Sequence, residues 1–183
     1  MENKRYTLAV MVDNKAGVLS QVSRLFSRKG YNIESLAVGT IEDPGVSRIT
    51  IEILAENDQQ VNLIVNQVRK MFPVHSVKVL RSEQSIRREL VLLKVRAENA
   101  EQRNEIMQIT SIFRASIIDV APGSLTIAVI GEEEKIDAIM GLVEKNGILE
   151  MVRTGVIALE RGAYTLNEYT KERSEFNYGK NVR

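Results

Sequence analysis

Residues 6–30 read YTLAVMVDNKAGVLSQVSRLFSRKG, and they decide the fold. Tyr6, Leu8, Val10 and Val12 alternate with other residues, the pattern of a half-buried strand. Asp13 to Gly17 form a polar turn that closes on a glycine. From there Val18, Leu19, Val22, Leu25 and Phe26 recur at helical spacing, with Gln21, Ser23, Arg24 and Ser27 on the other side. Arg28 and Lys29 suit a helix C-terminus, and Gly30 is a natural stop. A strand that turns directly into a helix can hold a small anion. The first N–H groups of the helix have no partner inside it and carry the positive end of its dipole. Gly17 lets a ligand approach the backbone, and Asn14 offers both donors and an acceptor, which a zwitterion requires. An ordinary turn that binds nothing has the same local pattern, so the rest of the chain must decide.

Outward from that stretch the strand pattern returns over Tyr31 to Ile41 and again over Val46 to Leu54, either side of Glu42-Asp43-Pro44-Gly45. That tetrapeptide is a hairpin turn: proline fixes φ and glycine permits a positive one. Asn57 or Asp58 can cap a second helix with Val61, Ile64, Val65, Val68 and Met71 on its buried face. Pro73 stops it, and residues 74–79 make a short strand. The order β-α-β-β-α-β is ferredoxin-like: a four-stranded antiparallel sheet with both helices on one face. The other face must be covered or left wet.

Residues 81–87 (RSEQSIR) read as a linker, after which the order repeats. Residues 89–95 form a strand and 102–113 a helix. Residues 116–121 and 125–130 form strands about Pro122-Gly123. A helix then opens on Glu132-Glu133-Glu134, and a last strand lies within 148–159. The predicted architecture is α+β, two βαββαβ domains. Residues 4–81 are the first, 82–88 the linker, 89–162 the second and 163–183 a polar tail carrying Tyr164, Tyr169, Phe176 and Tyr178.

Composition narrows the function. The 183 residues carry a net charge of +1, so nothing draws the chain to nucleic acid or to an acidic membrane. Residues 46–54 hold no aromatic on which an RNA base could stack. No apolar run approaches the length of a membrane span, and no cysteine is present, so a cytoplasmic protein is expected. His75, the sole histidine, reads as a surface or edge residue, and Glu132 to Glu134 as a solvated helix start. No catalytic or metal-binding motif stands out, which leaves ligand binding. Asn32 joins the candidates here. It lies at the far end of the helix that Gly17 opens, so it reaches a ligand at Gly17 only from a second copy packed side by side. Binding would then be tied to assembly.

The stretch DNKAGVLSQVSRLFSRKGYNIESLAVG, followed by SRITI at residues 47–51, resembles the N-terminal ACT domain of the small, regulatory subunits of acetolactate synthase (acetohydroxyacid synthase). RELVLLKV, IFRASIIDV (112–120) and GVIALERG (155–162) resemble the second domain of that family. The resemblance implies a subunit that is not itself catalytic and carries no cofactor. It would activate a large subunit holding thiamine diphosphate, Mg²⁺ and FAD, and would confer feedback inhibition, usually by valine. The implied effector site lies between paired ACT domains of a homodimer. It takes Asn14, Gly17, Val18 and Leu19 from one copy and Asn32 and Ile33 from the other, with Ser20 supporting the turn. A free-standing amino-acid sensor acting on another enzyme or a transcription system is the alternative.

Overall fold

Branched and aromatic side chains on one side of each strand, and an apolar stripe on each helix, fix the first unit. The computed structural model describes residues 4–166. The unit is built from β1 (Lys4–Asp13), α1 (Val18–Arg28), β2 (Ile33–Thr40), β3 (Val46–Ala55), α2 (Asp58–Arg69) and β4 (Val74–Leu80). The strands lie in the order β2-β3-β1-β4, all antiparallel. Leu8, Val10, Ile49, Ile51 and Ile53 bury against Val22 and Phe26 of α1 and Ile64 and Val68 of α2.

The helix ends follow from local chemistry. Gly30 takes φ +75°, its N–H donates to the Ser27 carbonyl, and the Tyr31 N–H donates to that of Phe26. This is a Schellman closure, for which glycine is the residue of least strain. Asn57 caps α2 by accepting from the Gln60 N–H at 3.0 Å, while Gln60 Oε1 accepts from the Glu56 N–H. Asn99 and Gln102 repeat this device at the next helix.

The second unit covers residues 87–155. It comprises most of β5 (Ser85–Arg96), then α3 (Ala100–Ile112), β6 (Ser116–Ala121), β7 (Ser124–Gly131), α4 (Glu133–Val143) and β8 (Ile148–Arg153), with strand order β6-β7-β5-β8. Val91, Leu93, Ile127 and Val129 bury against Ile106 of α3 and Ile136 and Ile139 of α4. Arg153 makes a two-pronged bond to the buried carboxylate of Glu89, at 3.1 and 2.8 Å. Helix α3 ends in the same closure as α1, but the left-handed position holds Arg114, at φ 50°. That conformation costs a residue with a Cβ about 1 kcal/mol, part of which glycine would return as unfolded-state entropy. Arg114→Gly is therefore expected to stabilise the unit by about 0.5 kcal/mol, a rise of roughly 2–3 °C in Tm by calorimetry. A fall in Tm would contradict the strain.

Two features differ from the sequence reading. Residues 82–88, expected as a linker, hold a short 3-10 turn at Ser82–Gln84 and then the start of β5. Residues 156–166, expected as the end of the second domain and the start of the tail, make their contacts on the first unit. There β9 (Ile157–Glu160) pairs with β5, whose first two residues belong to that unit. Ala158 and Leu166 bury against Ala9, Met11 and Leu80, on the sheet face away from the helices. The Arg48 guanidinium donates to the Ala158 carbonyl at 2.6 Å, and Lys78 meets Glu160 at 2.5 Å. This strap is the cover that the open face requires. Thr7, Thr50 and Glu52, polar residues on the same face, are each no more than 3 % exposed, and the Thr7 hydroxyl donates to Glu52 at 3.2 Å. Tyr169, Phe176 and Tyr178 lie outside the described residues. No helix among the described residues is long and apolar enough to cross a membrane.

Candidate functional site

The turn from β1 into α1 is held from three sides. The Asp13 N–H donates to the Pro73 carbonyl at 2.9 Å. The Asp13 carboxylate takes Lys15 Nζ on one oxygen at 2.9 Å and His75 Nε2 at 2.7 Å from the other. Lys15, then His75, holds this carboxyl below its ordinary range. The Asp13–Lys15 ion pair is therefore fully present above the usual carboxylate range and is lost as pH falls through the lowered value. Asn14 ties the turn to the β2–β3 hairpin. Its backbone N–H donates to the Gly45 carbonyl at 2.8 Å, and its Nδ2 donates to the Pro44 carbonyl at 2.9 Å. A carbonyl only accepts, so the amide nitrogen must face Pro44. Asn14 thereby keeps Oδ1, an acceptor, for other use.

Gly17 is the N-cap of α1, at φ +84° and ψ −12°, and an added Cβ would meet nothing within 4 Å. Its carbonyl accepts the Gln21 N–H at 3.0 Å. Helices α1 to α4 differ at this end. Asparagine side chains cap α2 and α3, and Glu133 and Glu134 lie in the first turn of α4. Helix α1 has neither a side-chain cap nor an acidic residue in its first turn. A positive helix end without such a partner can take an external anion.

The other candidates divide. Val18 is buried in the core, so its side chain is spent on packing, and its N–H donates to the Lys15 carbonyl at 3.3 Å. Leu19 is 40 % exposed beside the turn and can offer an apolar surface. Ser20 is exposed in the first turn, its carbonyl accepting from Ser23 Oγ. Asn32 and Ile33 lie elsewhere. Ile33 pairs with Ile53, which pairs with Tyr6, whereas Asp13 pairs with Val46. Seven residues of β1 separate those two levels, about 23 Å. Asn32 Nδ2 donates to the Glu34 carboxylate at 2.5 Å, which also leaves its Oδ1 outward. One chain thus carries the two parts of the expected site at opposite ends of one sheet. A cleft of about 410 Å³ at the Tyr6 end, lined by Lys4, Asp58 and Arg81 among others, touches none of the candidates.

Sequence reasoning missed the anchors at Pro44, Gly45 and Pro73. The signal was present in the topology, because the end of β1 and the start of β3 meet at one end of any βαββ sheet.

Comparison with known proteins agrees with this architecture. Residues 8–76 match the model of an AHAS small subunit-like ACT domain. Residues 88–162 match the model described as the small subunit of acetolactate synthase, a match that runs on into the strap. A probable acetolactate synthase small subunit of Methanothermobacter thermautotrophicus is 42% identical over 91% of this chain and 98% of its own length. An acetolactate synthase small subunit of Mycobacterium bovis is 42% identical over 88% and 95%. The crystal structure of the small subunit from Thermotoga maritima superposes with a TM-score of 0.81 at 34% identity, covering 88% of this chain and 99% of that one.

Proposed function

Because this chain belongs to the acetolactate synthase small-subunit family, we propose that it activates a catalytic acetolactate synthase subunit in the cytoplasm and makes it subject to inhibition by valine. In this reading the chain itself catalyses nothing. Thiamine diphosphate, Mg²⁺ and FAD belong to the catalytic partner, where they supply the chemistry that joins two 2-oxo acids.

The observation that carries the effector reading is the uncapped start of α1 beside an anchored asparagine. The backbone there takes the carboxylate of the amino acid, and the Oδ1 of Asn14 accepts from its ammonium. The missing half comes from a second copy. Strand β2 is an edge of its sheet. Two such edges paired antiparallel about a two-fold axis bring the start of one β2 level with the end of the other. The end of β2 lies beside Asn14, since Thr40 pairs with Ser47 and Ser47 with Val12. Asn32 and Ile33 of the second copy therefore arrive at the turn, and Asn32 Oδ1 becomes a second acceptor for the ammonium. The branched side chain packs on Leu19 and Ile33. Pocket size then separates valine from isoleucine by only about 1–3 kcal/mol.

Reconstitution with the catalytic subunit tests this. Added chain is expected to raise the rate of acetolactate formation, and L-valine to reverse the gain. The 2-oxo acid of valine, which has no ammonium, is expected to leave it unchanged. A chain that neither binds the catalytic subunit nor alters its rate overturns the proposal and favours a free-standing sensor.

A further inference from the structure

Thr154 and Val156 are both hydrogen-bonded, and only Gly155 lies between them. The Thr154 N–H donates to the Leu90 carbonyl at 3.1 Å, and the Leu90 N–H donates to Thr154 Oγ1 at 3.2 Å, which fastens Thr154 within the second unit. The Val156 N–H donates to Ser35 Oγ at 2.9 Å, which fastens the strap to β2. Gly155 joins the two at φ +78°, a conformation glycine adopts without strain. Ser35 follows Asn32 by three positions and sits at a bulge, where the pairing of β2 with β3 slips between Ile33 and Ser35. The expected effector segment, the bulge, the first residue of the strap and the last residue of the second unit thus follow one another with no slack chain among them. Further along, the strap is fixed by Arg48 to Ala158, by Lys78 to Glu160 and by burial of Leu166.

We infer that the strap is the route by which occupancy at Asn32 and Ile33 reaches the second unit. A shift at the bulge of β2 moves Val156 through the Ser35 hydroxyl, and Gly155 hands the displacement to Thr154. The inference rests on the effector reading above and names how that site is read out. A strap that served only as a cover would need its buried side chains and its ties to Arg48 and Lys78. It would not need its first N–H held by a side chain of β2 that lies beyond the effector residues Asn32 and Ile33. Regulation is a coupling free energy between two sites, so binding and response must come apart when the route is cut.

Two variants cut it in different ways. Ser35→Ala removes the hydroxyl, and a Gly-Ser-Gly insertion between Gly155 and Val156 adds slack while keeping every tie. Both full chains are expected to bind L-valine within about twofold of wild type by calorimetry, while their complexes with the catalytic subunit lose most of the inhibition at saturating valine. Ser35→Thr, which keeps a hydroxyl, is expected to restore it. Variants inhibited as fully as wild type overturn the route. So does Ser35→Ala that no longer binds valine, because Ser35 would then be part of the site. A wild-type complex that ignores valine brings down the effector reading and this route together, and the wild-type control alone distinguishes that case.

Discussion

Replacing Gly17 with aspartate is expected to abolish valine binding while leaving the first unit folded. The substitution meets no steric obstacle, since nothing lies within 4 Å of an added Cβ. Its backbone cost is that of a left-handed residue with a side chain, about 1 kcal/mol. A carboxylate at an N-cap recovers part of that cost, because it accepts from first-turn N–H groups that α1 leaves uncapped. The same property destroys the site. The new carboxylate would take the donors that the proposed site offers to the carboxylate of the effector, and would repel it at close range. A loss of about 100-fold or more in affinity is expected, and valine inhibition should vanish while activation of the catalytic subunit remains. Gly17→Ala separates the causes, since it carries the backbone cost without the charge. Calorimetric titration and a thermal melt of both variants check this. A folded Gly17→Asp variant that binds valine normally would contradict the assignment of the carboxylate to α1.

The second large effect is expected at Asn32. Asn32→Ala removes one hydrogen bond to a charged group, which corresponds to a loss of roughly tenfold to a hundredfold in valine affinity. The size is informative because of where the residue lies. In one chain the register sets the level of Ile33 about 23 Å along the sheet from that of Asp13, so Asn32 and the turn at Gly17 lie at opposite ends. Asn32 is exposed, and its amide is bonded to Glu34 at the surface, so its removal leaves no buried group unpaired. Titration with valine, beside sedimentation to confirm unchanged assembly, reads the effect. Unaltered affinity in an intact dimer would remove Asn32 from the site.

Most of the fold lies open in the sequence because its signals are local. The alternation in Leu8, Val10 and Val12, the stripe Val22, Leu25 and Phe26, and the stop at Gly30 each depend on neighbours within a few residues. The turn at Asn14 to Gly17 is legible for the same reason. What stayed hidden is non-local. Ile157 to Glu160 has the composition of a strand and follows β8, so periodicity assigns it to the second repeat; the packing of Ala158 against Ala9, Met11 and Leu80 is set by a face that no local pattern reports. Thr7, Thr50 and Glu52 show the same limit. They occupy the outward positions of alternating strands, which reads as a solvated face, yet all three are buried. The anchoring of Asn14 was hidden for a smaller reason, because Pro44 and Gly45 act through backbone carbonyls that sequence does not distinguish.

If each effector site is shared between two copies, mixing the two variants must restore it. At a valine concentration only a few times the wild-type Kd, Gly17→Asp chains are expected to bind none and Asn32→Ala chains to show no site of wild-type affinity. In a mixed dimer one site carries both lesions and the other carries neither. An equal mixture, unfolded and refolded together, should therefore recover about a quarter of the wild-type binding sites at wild-type affinity. Recovery of that fraction by calorimetry is the expected result. A mixture as silent as its parents would mean that each site lies within one chain, and the shared site would be wrong.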